Sequence, residues 1–443
     1  NMTYKAQGNG ITTEYEYNNA GMLTKTKTTD AYGNSTYSNS YYYLNGLMYC
    51  EAIPYGENNM TLQKSFSYDD MGRLKYEIAS HNGEYPYLYL YEYDLRGNRT
   101  KKHIDADYSE TFGDIYYTYD LNNRLISEEA EIDGGEDTTA RYYYDNNGNL
   151  TARQGVSRTG GMTLSGRSEN SGMEIYRYDA FNRMSRYYSG SSEVSYAYNT
   201  DNLRTSKTVN RETTDFVWNG QNLAAEINGY NMNTYTYDNT GIHMADKDGT
   251  VISYIKDYHG SIVGTASSSG KFMQEYNEVV YEAFGNLWDG ETPDNFGYSG
   301  EYRDDESGLI YLRNRYYDSR SGRFITEDPA QDGLNWYVYA ANNPISFVDP
   351  WGLLDVPNNG AESFSSMIAI LSKIISYKVD YQNEAMQRNP DRQYLSELSN
   401  GAQQMRNMID VEQIRSYSPQ LAQLVEDNVL NTEKVKENLA PIE

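Results

Sequence analysis

Tyr85-Pro-Tyr87-Leu-Tyr89-Leu-Tyr91-Glu-Tyr93, followed at once by Asp94-Leu-Arg-Gly97-Asn98-Arg99, is the stretch that decides the fold of this 443-residue chain. Five Tyr at period two place their rings on one face, which only a strand does. Asp94 can hydrogen-bond its own backbone and open a turn, and Gly97 can supply the positive φ of a tight reversal. The stretch therefore predicts a strand, a turn and a returning strand.

The same pattern recurs along most of the chain. Copies include Tyr15-Glu-Tyr17-Asn18, Phe66-Ser-Tyr68-Asp69, Tyr117-Thr-Tyr119-Asp120, Tyr142-Tyr-Tyr144-Asp145, Tyr176-Arg-Tyr178-Asp179, Tyr196-Ala-Tyr198-Asn199, Phe216-Val-Trp218-Asn219 and Tyr235-Thr-Tyr237-Asp238, with a degenerate one at Tyr41-Tyr42-Tyr43. The second aromatic falls at 17, 43, 68, 93, 119, 144, 178, 198, 218 and 237. One step is long, and the Gly- and Ser-rich stretch from Gln154 to Met173 within it reads as a loop insertion. A repeat of this length holds one hairpin. Hairpin after hairpin implies a long antiparallel sheet that curls as its strands twist. Nearly all the Tyr and Asp of the repeats read as scaffold.

Composition narrows the function. The chain carries 63 acidic against 37 basic residues, a formal charge of −26. Phosphate would repel such a surface, so nucleic-acid contact by the repeats is not expected. No apolar run reaches the length of about 20 residues that spans a bilayer. Cys50 stands alone, and His81, His103, His243 and His259 lie far apart, so neither a disulfide framework nor a metal site is expected, and no cofactor is implied. Asn1 opens into polar sequence with no signal peptide, which places any targeting segment outside this chain.

The units resemble the YD repeats of the Rhs and tyrosine-aspartate repeat proteins over residues 1–290. That resemblance implies a hollow β-shell wound around a C-terminal segment. From Tyr298 the sequence changes character and resembles the Rhs core-associated domain: Gly300-Glu-Tyr302-Arg303-Asp304, Leu309-Ile-Tyr311-Leu312-Arg313-Asn-Arg315-Tyr316-Tyr317-Asp318, Asp328-Pro329, Asn342-Asn343-Pro344, and finally Asp349-Pro350-Trp351-Gly352-Leu353. Residues 291–353 form this second unit. In relatives that cleave themselves, two Asp and an upstream Arg act together just after the closing Leu. Position by position these map to Asp328, Asp349 and Arg315, and the scissile bond to Leu353–Leu354. The chemistry suits an intramolecular aspartyl autoprotease: one carboxylate holds a proton while the other activates water, and Arg315 orients a carboxylate or the carbonyl. The rival reading is that both Asp-Pro steps only make turns. Asp328-Pro-Ala-Gln-Asp-Gly333 also lacks the prompt Gly of many relatives, which implies an altered loop between the two Asp.

Residues 354–443 differ in kind. Only Tyr377, Tyr381, Tyr394 and Tyr417 occur there, and Phe364, Met367, Ile368, Leu371, Ile374 and Ile375 fall at helical spacing. A small helical region of cargo or toxin type is expected, without the His, Cys or basic patch of His-based nucleases and zinc deaminases. The fold class is thus mainly β, with antiparallel hairpin repeats spiralling into a shell and a small α-helical tail. The resemblance implies a secreted or cell-surface toxin carrier of polymorphic type, used in bacterial competition. Its partners would be its own C-terminal cargo inside the shell, a delivery system and an immunity protein. The alternative is a non-enzymatic adhesive or structural YD-repeat protein whose exposed Tyr faces bind a cell-surface glycan or a partner cell.

Overall fold

The computed structural model describes residues 3–353 and 355–358, apart from 36, 56–59, 82–83, 107–110, 134–137, 156–172, 239, 275–278 and 332. The expected tail helices, the linker from 359 onward and Leu354 lie outside the described residues.

Twenty-three strands run from β1 (Tyr4–Ala6) to β23 (Ile262–Ser267), each paired antiparallel with the next. The quoted stretch is β8 (Glu84–Tyr93), and β9 (Arg99–Ala106) returns beside it. Tyr87, Tyr89 and Tyr91 are all buried, whereas Leu90 between them is exposed. The aromatic face is thus the covered one, because a Tyr ring buries large area while its hydroxyl can still find a partner. Tyr87 does so by donating to Glu77 Oε1 at 2.8 Å. The long repeat step is absorbed without a break, since β13 (Leu150–Gly155) pairs directly with β14 (Met173–Tyr178). Gln154, Gly155 and Met173, expected in the insertion, belong to those strands, and residues 156–172 lie outside the described residues.

Each turn is built by its Asp. Asp94 Oδ1 accepts from the backbone N–H of Arg96 and Asn98, both at 2.8 Å, and Gly97 takes φ +80°. Asp69, Asp120, Asp145 and Asp179 repeat these two bonds. Where Gly is missing, Asn123, Asn182 and Asn202 supply the left-handed residue, which Asn tolerates better than most side chains. The second aromatic of each unit has a separate duty. Tyr68, Tyr93, Tyr119, Tyr178 and Tyr198 donate their hydroxyls to the backbone carbonyls of Met48, Leu74, Arg99, Leu150 and Met184, at 2.6–2.9 Å. Each of those carbonyls lies in the preceding hairpin, so hydroxyls staple the hairpins in series. A register shift falls just before the same aromatic in each unit, for example between Glu92 and Tyr93. Such bulges bend a strand and increase its twist.

Repeated bending carries the sheet around. Its first hairpin meets its last ones: Lys5 pairs with Asp238, Asn9 donates to Ser253 Oγ at 3.0 Å, and Ala31 N donates to Gly270 O at 2.9 Å. The ladder itself stays open between the two ends. Residues 280–353 fill the covered face with a small four-stranded sheet, β26 (Tyr302–Arg303), β27 (Ile310–Leu312), β28 (Arg315–Asp318) and β29 (Arg323–Phe324). Ala283 N donates to the fully buried Glu77, and Arg204 meets Asp304 at 2.7 Å with both side chains almost fully buried. Tyr316, Tyr302, Tyr311 and Phe216 surround that arginine.

Tyr119→Phe removes one staple and should lower the unfolding free energy by about 1 kcal/mol, read from the urea midpoint; an unmoved midpoint would strike the hydroxyl from this account. The turns also set an acid limit. Partial burial disfavours the Asp179 charge, but the Arg183 side chain and the N–H groups of Arg183 and Phe181 outweigh it and hold the carboxyl below its ordinary range. Asp69 and Asp120 are held low in the same way. A depressed folded pKa gives stability that is present above the unfolded value of about 4 and lost as pH falls below it. Asp179→Asn should therefore cost stability at neutral pH yet shrink the loss between pH 5 and 2.5. Equal acid sensitivity of variant and parent would refute this.

Candidate functional site

Arg315 opens β28 and is buried, and one guanidinium reaches both mapped carboxylates. Its Nη2 donates to Asp349 Oδ2 at 3.0 Å, and its Nη1 lies 3.9 Å from Asp328 Oδ1. Asp328 and Asp349 are themselves buried, at 4% and 1% exposure. That depth matters, because buried charges persist when paired and hydrogen-bonded.

The guanidinium also grips backbone on both sides. Nη1 donates to the carbonyl of Trp336 at 2.9 Å, and Nε donates to the carbonyl of Gly352, the residue just before Leu353. The Phe324 ring lies under it, with its centre 3.5 Å from the guanidinium carbon, a cation–π contact that fixes the plane of the group. Five donors in one rigid fork permit this; a Lys would not span it.

Both Asp residues do form turns. Asp328 Oδ1 accepts from Ala330 N at 2.8 Å, and Gln331 N donates to Asp328 O at 3.0 Å. Asp349 Oδ1 accepts from Leu353 N at 2.9 Å. One carboxylate thus binds the arginine with one oxygen and holds the backbone of Leu353 with the other. Gly352 is demanded twice, by its φ of +67° and by space, since a Cβ there would sit 2.9 Å from Leu312 O and 3.0 Å from Arg315 N. Leu353 is buried; Leu354 lies outside the described residues, so only the first half of the mapped bond has a described place.

The surroundings are partly apolar. A cavity of about 340 Å³ opens beside Arg315, Asp328, Asp349 and Leu353, with Met71, Leu95, Leu334 and Trp336 on its wall. Arg313 holds the closing loop from the other side, donating to Pro350 O at 3.0 Å and pairing with Glu301. Burial pushes Glu301 up to about 7 against the pull of Arg313, and the nearby Asp349 adds to the rise. Phe324, Trp336 and Arg313 were not singled out from sequence. Arg323-Phe324 and Asn335-Trp336 stand in the motif-rich stretch, but nothing in their spacing announces contact with Arg315. Among the described residues no cluster of His, Cys, Asp or Glu is arranged to hold a metal ion.

The site is thus a buried Arg–Asp–Asp set closed over the end of an Asp-Pro-x-Gly-Leu loop. The chain is 30% identical over 275 residues to the tRNA3(Ser)-specific nuclease WapA of Bacillus spizizenii, covering 53% of this chain and 12% of that protein. It is 28% identical over 328 residues to the double-stranded DNA deaminase toxin A of Burkholderia cenocepacia, covering 65% of this chain and 20% of that one. Among solved structures, the TcdB2–TccC3 crystal structure aligns with 79% of this chain and 19% of its own, at 18% identity and a TM-score of 0.45. The chain spans a fifth or less of the length of these relatives. Residues 51–345 match the Teneurin YD-shell model, which takes in most of the repeats and most of the site-bearing segment. This chain belongs to the Teneurin YD-shell family.

Proposed function

We propose that the chain is the shell and release device of a toxin carrier, and that Arg315, Asp328 and Asp349 cut it after Leu353. The observation that carries the reading is the single guanidinium that reaches both carboxylates and the backbone of Gly352, while Asp349 holds Leu353. In the reaction, water adds across the Leu353–Leu354 amide. One carboxylate takes a proton from the attacking water, the other delivers one to the departing nitrogen, and the carbon–nitrogen bond breaks. Holding the bond a few residues from Asp349 makes the step intramolecular, which removes much of the entropic barrier.

The path of the chain beyond the site supports an enclosed cargo. β31 (Val356–Pro357) pairs with β30 (Phe347–Val348), and Asn358 O then accepts from the hydroxyl of Tyr258. Tyr258 packs against Tyr41 in the covered core. Asn358, the last described residue, therefore lies against the covered face. The toxin relatives support a deleterious cargo there, and a secreted or surface location follows from that role; an immunity protein and a delivery system would be its partners. The adhesive alternative draws less support. Its aromatic platforms would need exposed repeat Tyr; Tyr42 and Tyr143 are exposed, but Tyr87, Tyr117, Tyr176, Tyr196 and Tyr235 are buried.

Mass spectrometry of the purified full chain should show residues 1–353 and 354–443 as separate polypeptides that co-elute under native conditions. Asp328→Asn, Asp349→Asn and Arg315→Lys should each leave the chain whole or slow cutting by about 100-fold or more. A parent chain that stays intact at neutral pH would sink the proposal. So would cutting that survives Asp349→Asn.

A further inference from the structure

We propose, resting on the reading that the chain cuts itself after Leu353, that Asn335, Asn342 and Asn343 are positioning residues for that cut. They would make it conditional on folded repeats more than 200 residues upstream.

The loop that carries Trp336 is held by turn tips as well as by its own backbone turns. Asn343 Nδ2 donates to Gly72 O and Asn342 Nδ2 to Gly97 O, each at 2.8 Å. Asn335 Nδ2 donates to Asn98 Oδ1 at 2.7 Å and to Arg96 O at 3.1 Å. These partners lie 237–271 residues away in sequence. They stand where they do because the Asp69 and Asp94 turns have formed. Backbone carbonyls are the main acceptors, so the grip reads the shape of a closed turn more than the identity of its side chains.

The same loop is under strain. Ala340, Ala341 and Asn342 are consecutive left-handed residues, with φ of +50°, +50° and +58°. Non-Gly residues are strained in that region, and such a run persists only where the surroundings over-determine it. The two asparagine amides at its end supply that constraint. Released from Gly72 and Gly97, the run would relax and carry Trp336 with it. The Trp336 carbonyl fixes the Nη1 of Arg315 that faces Asp328, so the relaxed loop leaves both carboxylates with a poorly aimed cation. Folding of these upstream repeats therefore precedes cutting.

The test follows fragment formation against pH in the full chain, in Asn342→Gly, in Asn343→Ala and in Asn210→Ala. Glycine keeps the left-handed backbone at 342 and deletes only the donor. Asn210, also left-handed at φ +49°, sits in a turn remote from the loop and controls for plain destabilisation. The loop variants should cut about 100-fold more slowly, as a misplacement of about 1 Å does elsewhere. Their acid limb should also move to higher pH, because a carboxylate deprived of its cation binds protons more readily. Asn210→Ala should slow only as far as its melting temperature falls, with the limb unmoved. Loop variants with the parental rate or an unmoved limb, or slowing that follows melting temperature in all variants alike, overturn this inference alone. An intact parent chain overturns it together with the cleavage reading.

Discussion

The rest of the structure hangs on a bond of less than 3 Å from the hydroxyl of one Tyr to the carbonyl of the hairpin before it. A plain antiparallel meander can flatten or slip, because ladder bonds alone specify register weakly where neither face is buried. The staple removes that freedom. It requires the second aromatic to point at the same place in every unit, and the strand meets this by bulging at that residue. Bulge and Asp turn together bring the sheet back on itself until Asn9 reaches Ser253. They also set the Asp-turn tips at 69–73, 94–98, 120–124 and 145–149 along one rim, where the loop from Arg323 to Asn343 can bond each in succession.

The covered face is polar for a core, and this follows from the Tyr that line it. Each buried ring brings an oxygen that needs a partner. Carboxylates meet the need: Glu77 takes Tyr87, Glu174 takes Tyr176 and Tyr187, and Glu226 takes Tyr235. These acids are then available to bind the inner segment, as Glu77 does with Ala283 N and Glu174 with Arg320 at 3.5 Å. The excess of Tyr and part of the excess of acid are therefore one structural device. Neither is a surface property.

How much of this was legible follows from range. The hairpins, the Asp turns and the positive-φ Gly or Asn are local, and the alternation in residues 85–99 carries them outright. The Arg315, Asp328 and Asp349 set came through the resemblance of the closing segment; the residues alone left turn formation ahead. The Arg204–Asp304 pair, the Phe324 ring under Arg315 and the asparagine grips join positions from nine to more than 200 residues apart. No periodicity encodes such contacts, since they exist only once the sheet has turned through its full course. The curl was expected from strand twist, but the bulges that strengthen it are silent, because a bulge is a matter of register and not of residue type.

Turn formation and the proposed reactive role, set against each other by the sequence, would use the same atoms of Asp349. An Asp in a turn accepts backbone N–H bonds on one oxygen and keeps the second for another partner, as Asp179 does with Arg183. Asp349 repeats that arrangement with Leu353 N and Arg315. The difference is depth. The Asp179–Arg183 pair is partly open to water, whereas Asp349 and Arg315 are buried. Charges in a low-dielectric setting act on each other and on a nearby amide far more strongly than the same charges at a wet turn. One local motif, buried within the inner segment, thereby becomes the charged set on which the proposed cleavage rests.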